Sequence, residues 1–165
     1  MAIEIERKFL VSDFTWRDAC EKSVSMSQGY FATTGKASIR VRISDNKAYL
    51  NIKSTDSLIE REEFEYEIPQ NDGKRMLSTL CIDEQIEKSR HYVPYADNLW
   101  LIDEFHGLNS GLIVAEIELG NPTDNIEKPP WIGDEITQFV RFYNHFLVRH
   151  PYSSWSEEER AIVTP

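Results

Sequence analysis

Cysteine is nearly absent from this chain: of 165 residues only Cys20 and Cys81 are cysteine, far apart and without the spacing of a metal knuckle. Neither a disulfide framework nor a structural zinc site follows from such a pair. The chain also opens on a strand-like stretch where a secretory leader would stand, so the cytoplasm, with reduced thiols, is the expected compartment. No apolar run approaches the roughly 20 residues that a membrane helix requires, and no Asn-x-Ser/Thr sequon is present, which predicts no membrane association and no glycosylation. A Walker A loop and a Gly-x-Ser-x-Gly elbow are both missing, and with them the main sequence support for P-loop and serine-hydrolase chemistry. The four histidines, His91, His106, His145 and His150, show no metal-ligand spacing and read as surface or packing residues. Positive charge is outnumbered, 18 Lys and Arg against 28 Asp and Glu, and the net charge of -10 argues against nucleic acid as a partner. A sheltered pocket escapes that argument, because a local cluster of Lys and Arg inside an acidic envelope still binds an anion.

What is present is alternation. Period-two segments recur at about 2–11, 27–33, 36–45, 47–54, 60–69, 84–94, 99–106 and 111–120, which gives eight strand candidates. Thr34-Gly35 and Asp45-Asn46 suggest hairpin links, and the short spacings leave no room for repeated crossover helices, so the sheet is expected to be mainly antiparallel. Three helices are expected: a short one over 16–22 capped by Thr15, a second from about Asp72 to Leu80, and the longest after Pro129-Pro130-Trp131 and Gly133, where Ile136, Phe139, Val140, Tyr143 and Leu147 fall at helical spacing. Trp131 reads as a packing anchor. With no repeat, linker or low-complexity tract, residues 1–165 read as a single domain of α+β, mainly β class, with a loosely held tail over about 153–165.

The charges face one way. In a strand, residues i, i+2 and i+4 share a face, so Glu4, Glu6 and Lys8 form one row; Arg40 with Arg42, Lys53, Glu63 with Glu65, Lys88 with Arg90, and Glu116 with Glu118 form others. Any half-buried antiparallel sheet alternates apolar with polar residues, and a solvated charged sheet that binds a protein partner remains one reading. Against it, these polar positions are nearly all Glu, Lys and Arg, segregated by strand, and like-charged neighbours within a row repel with nothing in the sheet to offset them. A bound ligand resolves the conflict. Paired carboxylates suit Mg²⁺ or Mn²⁺, and Arg and Lys suit a polyanion. Closing the sheet on itself would bring the rows together across one lumen and leave the apolar backs to be covered by the helices.

At this point the chain resembles a known family. Glu4-Ile5-Glu6-Arg7-Lys8 reproduces the ExExK signature of the CYTH superfamily, the triphosphate tunnel metalloenzymes, and Arg40-Val41-Arg42, Lys53, Glu63-Phe64-Glu65, Lys88-Ser89-Arg90, Asp103 and Glu116-Ile117-Glu118 follow in order. Gln28-Gly29-Tyr30, Pro130-Trp131 and Arg141-Phe142-Tyr143-Asn144 extend the similarity over most of residues 2–147. The resemblance implies a closed eight-stranded antiparallel β-barrel, a tunnel with a charged lumen and helices packed outside, that hydrolyses triphosphates with a divalent metal, Mg²⁺ or Mn²⁺. It implies Glu4, Glu6, Glu116 and Glu118 as metal ligands and Lys8, Arg40, Arg42, Lys53, Lys88 and Arg90 as phosphate-binding residues. It leaves Glu63, Glu65 and Asp103 to orient the attacking water, hold a second metal or balance the cations. The compact opening is most similar to bacterial inorganic triphosphatases, which implies inorganic triphosphate as the small-molecule partner. Nucleoside or thiamine triphosphatase, adenylate cyclase and a non-catalytic polyphosphate- or nucleotide-binding module stand as alternatives, and the reading admits a homodimer.

Overall fold

A computed structural model of the chain describes residues 2–33, 36–55, 57, 59–81 and 84–161. The alternating segments form strands β1 (Ala2–Val11), β2 (Lys22–Thr33), β3 (Ala37–Ser44), β4 (Lys47–Ser54), β5 (Glu60–Ile68), β6 (Ile86–Tyr95), β7 (Asn98–Phe105) and β8 (Ile113–Glu118), with a short β9 (Ile132–Glu135). All pair antiparallel, as the short connections require. The Asp45-Asn46 link turns β3 into β4 with Asp45 at φ 50, a conformation Asp tolerates better than most side chains. The Thr34-Gly35 link lies outside the described residues.

Closure depends on β1. Its first half pairs with β5, from Ala2↔Glu63 to Ile5↔Glu60, and its second half with β8, from Glu6↔Glu118 to Leu10↔Val114. The ring then runs β1-β5-β4-β3-β2-β6-β7-β8 and returns to β1, a closed eight-stranded antiparallel barrel. Beyond Ile5 the β5 side of β1 would expose an unpaired edge. There β9 pairs at Phe9↔Glu135 and Val11↔Ile132, and the Lys8 amide donates to Thr137 Oγ1 at 3.0 Å. No helix among the described residues is long and apolar enough to cross a membrane.

The inward face changes character along its length. Leu10, Tyr30, Ile86, Phe105 and Val114 share strand faces with the charged rows but join Phe142, Leu147, Val148 and Trp155 in one buried cluster. The C-terminal segment therefore plugs one end of the barrel with an apolar stopper. The outward face of β1, β6, β7 and β8 contributes Phe9, Val93, Trp100, Ile102 and Ile117 to a second cluster, covered by Trp16, Ile126 and Trp131. Trp131 does anchor packing, edge-on to Trp100 at 5.7 Å. Full burial of side chains of this size contributes roughly 2–3 kcal/mol each.

The helices differ from expectation. Residues Thr15–Ala19 form one 3-10 turn, and Thr15 does not cap it; its amide donates instead to Asp13 Oδ1 at 2.8 Å. Helix α1 (Gln70–Thr79) forms near the expected place and lies on β3 and β4 so closely that a Cβ at Gly73 would come within 2.5 Å of the Ala48 Cβ. The long helix after Gly133 does not form. Its residues are β9, a 3-10 turn at Val140–Phe142 and a single turn, α2 (Asn144–Leu147). Pairing with β1 prevails over helical periodicity: the Ile136 amide donates to Lys8 O at 2.8 Å, and Tyr143 Oη donates to Thr137 O at 2.8 Å. Ile136, Tyr143 and Leu147 are buried all the same, while Val140 is exposed. Nor are residues 152–161 loose: Trp155 is buried edge-on to Phe142 at 5.1 Å, and Ser156 and Glu159 form a reciprocal capping box on α3 (Glu157–Arg160). Among the described residues the outer faces of the strands are covered by α1, the Thr15–Ala19 turn and the loop carrying Ile126 and Trp131.

Candidate active site

Beyond the apolar stopper the barrel interior opens into a cavity of about 980 Å³. Strand alternation delivers its lining: Glu4, Glu6 and Lys8 from β1, Arg40 and Arg42 from β3, Lys53 from β4, Arg61, Glu63 and Glu65 from β5, Lys88 and Arg90 from β6, and Glu116 and Glu118 from β8. Twelve of the thirteen site residues expected from the sequence meet here. The thirteenth, Asp103 on β7, is fully buried behind Lys88 and Arg90, one layer away from the lumen.

The rows neutralise one another across strands. Lys53 Nζ lies 2.6 Å from both oxygens of Glu4 and 3.4 Å from Glu63. Arg61 pairs with Glu6 and reaches Glu4 at 3.3 Å, while Lys8 pairs with Glu116 and lies 3.2 Å from Glu6. Arg90 grips Asp103 and extends to Glu116 at 2.5 Å, and Arg42 meets Glu65 at 2.9 Å. Asn51, fully buried, donates to Glu63 at 3.1 Å and also to Glu65. Burial alone would raise the pKa of Glu4, but Lys53 and then Arg61 override it and hold the carboxyl at about 2. Burial likewise opposes ionisation of Glu116 and Asp103, and the adjacent cations, Lys8 with Arg90 and Arg90 with Lys88, keep both below the usual carboxylate range. Lys88 is the converse case, pushed down to about 8 by burial against the pull of Asp103.

Two features mark the cavity as made for a ligand. Among the described residues seven cations, Lys8, Arg40, Arg42, Lys53, Arg61, Lys88 and Arg90, converge on its wall, a concentration of positive charge that suits a polyanion. Glu118 has no ion-pair partner among the described residues, and burial together with the nearby Glu4 raises its pKa. No three His, Cys, Asp or Glu among the described residues are gathered as a finished metal cage. Yet Glu4, Glu6, Glu116 and Glu118 supply hard oxygens to one cavity, and the Glu118 repulsion is of the kind a cation removes, so this donor set would fit a hard metal ion.

The sequence reading missed some of the lining. Arg61 continues the row of Glu63 and Glu65 by the same two-residue step and was readable from it. Val24, Met26, Tyr92, Leu99 and Leu101 give one wall an apolar character that a search for charges passes over. His145, expected at the surface or in packing, lines the cavity beside Tyr143, with ring centroids 5.9 Å apart.

Comparison with known proteins agrees with this geometry. The family model for the CYTH domain matches residues 2–147. The inorganic triphosphatase of Acetivibrio thermocellus is 41% identical over 157 residues, covering 95% of this chain and 100% of that protein. That of Nitrosomonas europaea is 32% identical over 148 residues, covering 87% and 95%. The crystal structure of the inorganic triphosphatase NE1496 superimposes with a TM-score of 0.65 at 31% identity, covering 90% of this chain and 95% of that one. With a closed barrel, the ordered charge rows and a family match over nearly its whole length, this chain belongs to the CYTH domain family.

Proposed function

We propose that this protein hydrolyses inorganic triphosphate to pyrophosphate and phosphate inside the barrel. The observation that carries the reading is the convergence of seven cations, Lys8, Arg40, Arg42, Lys53, Arg61, Lys88 and Arg90, on one cavity that also holds the paired carboxylates of Glu4, Glu6, Glu116 and Glu118. Inorganic triphosphatases at 41% and 32% identity support the substrate.

In this reading Arg40, Arg42 and Arg61, with Lys8, Lys53, Lys88 and Arg90, hold the phosphate chain by charge-assisted hydrogen bonds. Phosphoryl transfer asks a protein chiefly for positioning and charge stabilisation, which these rows supply without a covalent intermediate. Glu4, Glu6, Glu116 and Glu118 would hold a divalent cation, Mg²⁺ or Mn²⁺, which neutralises phosphate oxygens when bound. Glu63 and Glu65, steadied by Asn51 and facing the cavity, orient the attacking water. Asp103 positions Lys88 and Arg90 rather than touching substrate. Free Cys20 and Cys81 support a cytoplasmic protein, and the net charge of -10 supports a small anion in a sheltered cavity over nucleic acid.

A second reading, hydrolysis of a nucleoside or other organic triphosphate, is favoured by the apolar wall of Val24, Tyr92, Leu99 and Leu101. Comparing kcat/KM for tripolyphosphate, ATP and thiamine triphosphate decides between them. Tripolyphosphate is expected to be the best substrate, with no cyclic AMP formed from ATP. A clear preference for an organic triphosphate would transfer the function to the second reading.

A further inference from the structure

The C-terminal segment does more than stop the barrel. Leu147 and Val148 are buried in the apolar stopper, Phe142 belongs both to it and to the cavity wall, and Tyr143, Asn144 and His145 line the cavity. A single helical turn, Asn144–Leu147, sorts these residues: Leu147 is buried in the stopper, while Asn144 and His145 line the ligand space. The segment is tied to the charged rows as well, since Lys8 Nζ lies 5.1 Å and the Arg61 guanidinium 5.5 Å from the centroid of the Tyr143 ring.

We infer that His145 is a further phosphate-contacting residue for the reaction proposed above, and that it takes up a proton as the triphosphate binds. The inference rests on that reading of the site. The charges acting on the imidazole are Arg61 from β5, Lys8 from β1 and Arg149 from its own segment, all positive, with the Tyr143 ring beside it. Burial first, then those cations, lower its pKa, so the free protein carries His145 neutral near pH 7. A triphosphate among the same groups reverses the local potential. It offsets Lys8 and Arg61, which line the cavity, and supplies acceptor oxygens to an imidazolium, so the bound state favours the proton that the free state excludes. The linkage has a definite sign. His145 adds most to affinity at low pH, where it is already charged, and the gain disappears as pH rises through its pKa in the complex.

Steady-state kinetics with tripolyphosphate and saturating metal, from pH 5.5 to 9, test this with wild type, His145→Gln and His145→Lys. Taking the ratio of variant to wild-type KM at each pH cancels the protonation of the substrate itself. For His145→Gln the ratio is expected to be roughly tenfold at the acid end, the size of one charge-assisted hydrogen bond, and to fall towards one at the alkaline end, with kcat little changed. His145→Lys is expected to keep a low KM at both ends, because its charge persists. Thermal melts of the three proteins identify any loss of fold. A His145→Gln ratio that is unity throughout, or raised equally at every pH, would overturn the inference while leaving triphosphate hydrolysis intact. A wild type without tripolyphosphate turnover would overturn the parent reading and the inference together.

Discussion

Arg90 holds Asp103 with two guanidinium nitrogens, Nε and Nη2, each 2.7 Å from a carboxylate oxygen, where Asp103 has no exposure to solvent. Lys88 pairs with the same carboxylate, so one buried anion sets the position of two cations that face the cavity. Breaking a buried pair from one side is far more damaging than its net worth, because the partners stay charged and unpaired. Asp103→Asn is expected to cost about 3 kcal/mol or more in urea unfolding and to raise KM for triphosphate. A variant of wild-type stability and KM would remove Asp103 from the positioning role.

Glu116 and Glu118 share a strand face, yet their environments predict opposite responses to loss of charge. Glu116 is buried between Lys8 and Arg90, whereas Glu118 keeps solvent access, and partial desolvation followed by the nearby Glu4 disfavours its ionised form. Without metal, Glu116→Gln should lower the melting temperature, and Glu118→Gln should leave it unchanged or raise it. Both should shrink the melting shift produced by Mn²⁺, since a ligand stabilises the fold according to its affinity for it. Melts with and without Mn²⁺ check both signs.

The Arg61 guanidinium contacts both Glu4 and Glu6, so a divalent cation held by these carboxylates would have to displace it. Arg61→Gln is therefore expected to tighten Mn²⁺ binding by calorimetry while weakening triphosphate, with KM raised roughly tenfold for the loss of one charge-assisted contact. Weaker binding of both ligands would contradict the competition.

The depressed Lys88 sets an alkaline limit. Its pKa is about 8 in the folded protein against the ordinary 10.5 for an unfolded chain. The fold therefore disfavours the charged form fully below pH 8, and this penalty fades as pH rises from 8 towards 10.5. Stability from this group rises over that window while its grip on an anion is lost. kcat/KM for triphosphate, which reports the free enzyme, should fall as pH climbs through about 8, and Lys88→Arg should move the fall to higher pH.

Much of this architecture was legible in the chain because strand alternation is exact: a period of two puts Glu4, Glu6 and Lys8 on one face whatever the tertiary context. Twelve site residues reached the cavity for that reason, and the step that places Glu63 and Glu65 also places Arg61. The start of β2 at Lys22, earlier than expected, was concealed by serines at 23, 25 and 27 that alternate with Val24 and Met26. Residues 132–147 were misread because apolar spacing alone does not separate a helix from a segment tied to β1, and the exposed edge that ties it exists only once the barrel has closed. His145 was passed over for the same reason: only that tertiary pairing brings α2 to the lumen.

The central claim, a cavity that turns over triphosphate with a divalent cation, is tested most directly by phosphate release from tripolyphosphate with Mg²⁺, with Mn²⁺, or with excess EDTA. The account predicts steady release with at least one of the two metals and none with EDTA. Equal release in EDTA would remove Glu4, Glu6, Glu116 and Glu118 from a metal-binding role, and no release under any of the three conditions would contradict the proposed activity itself.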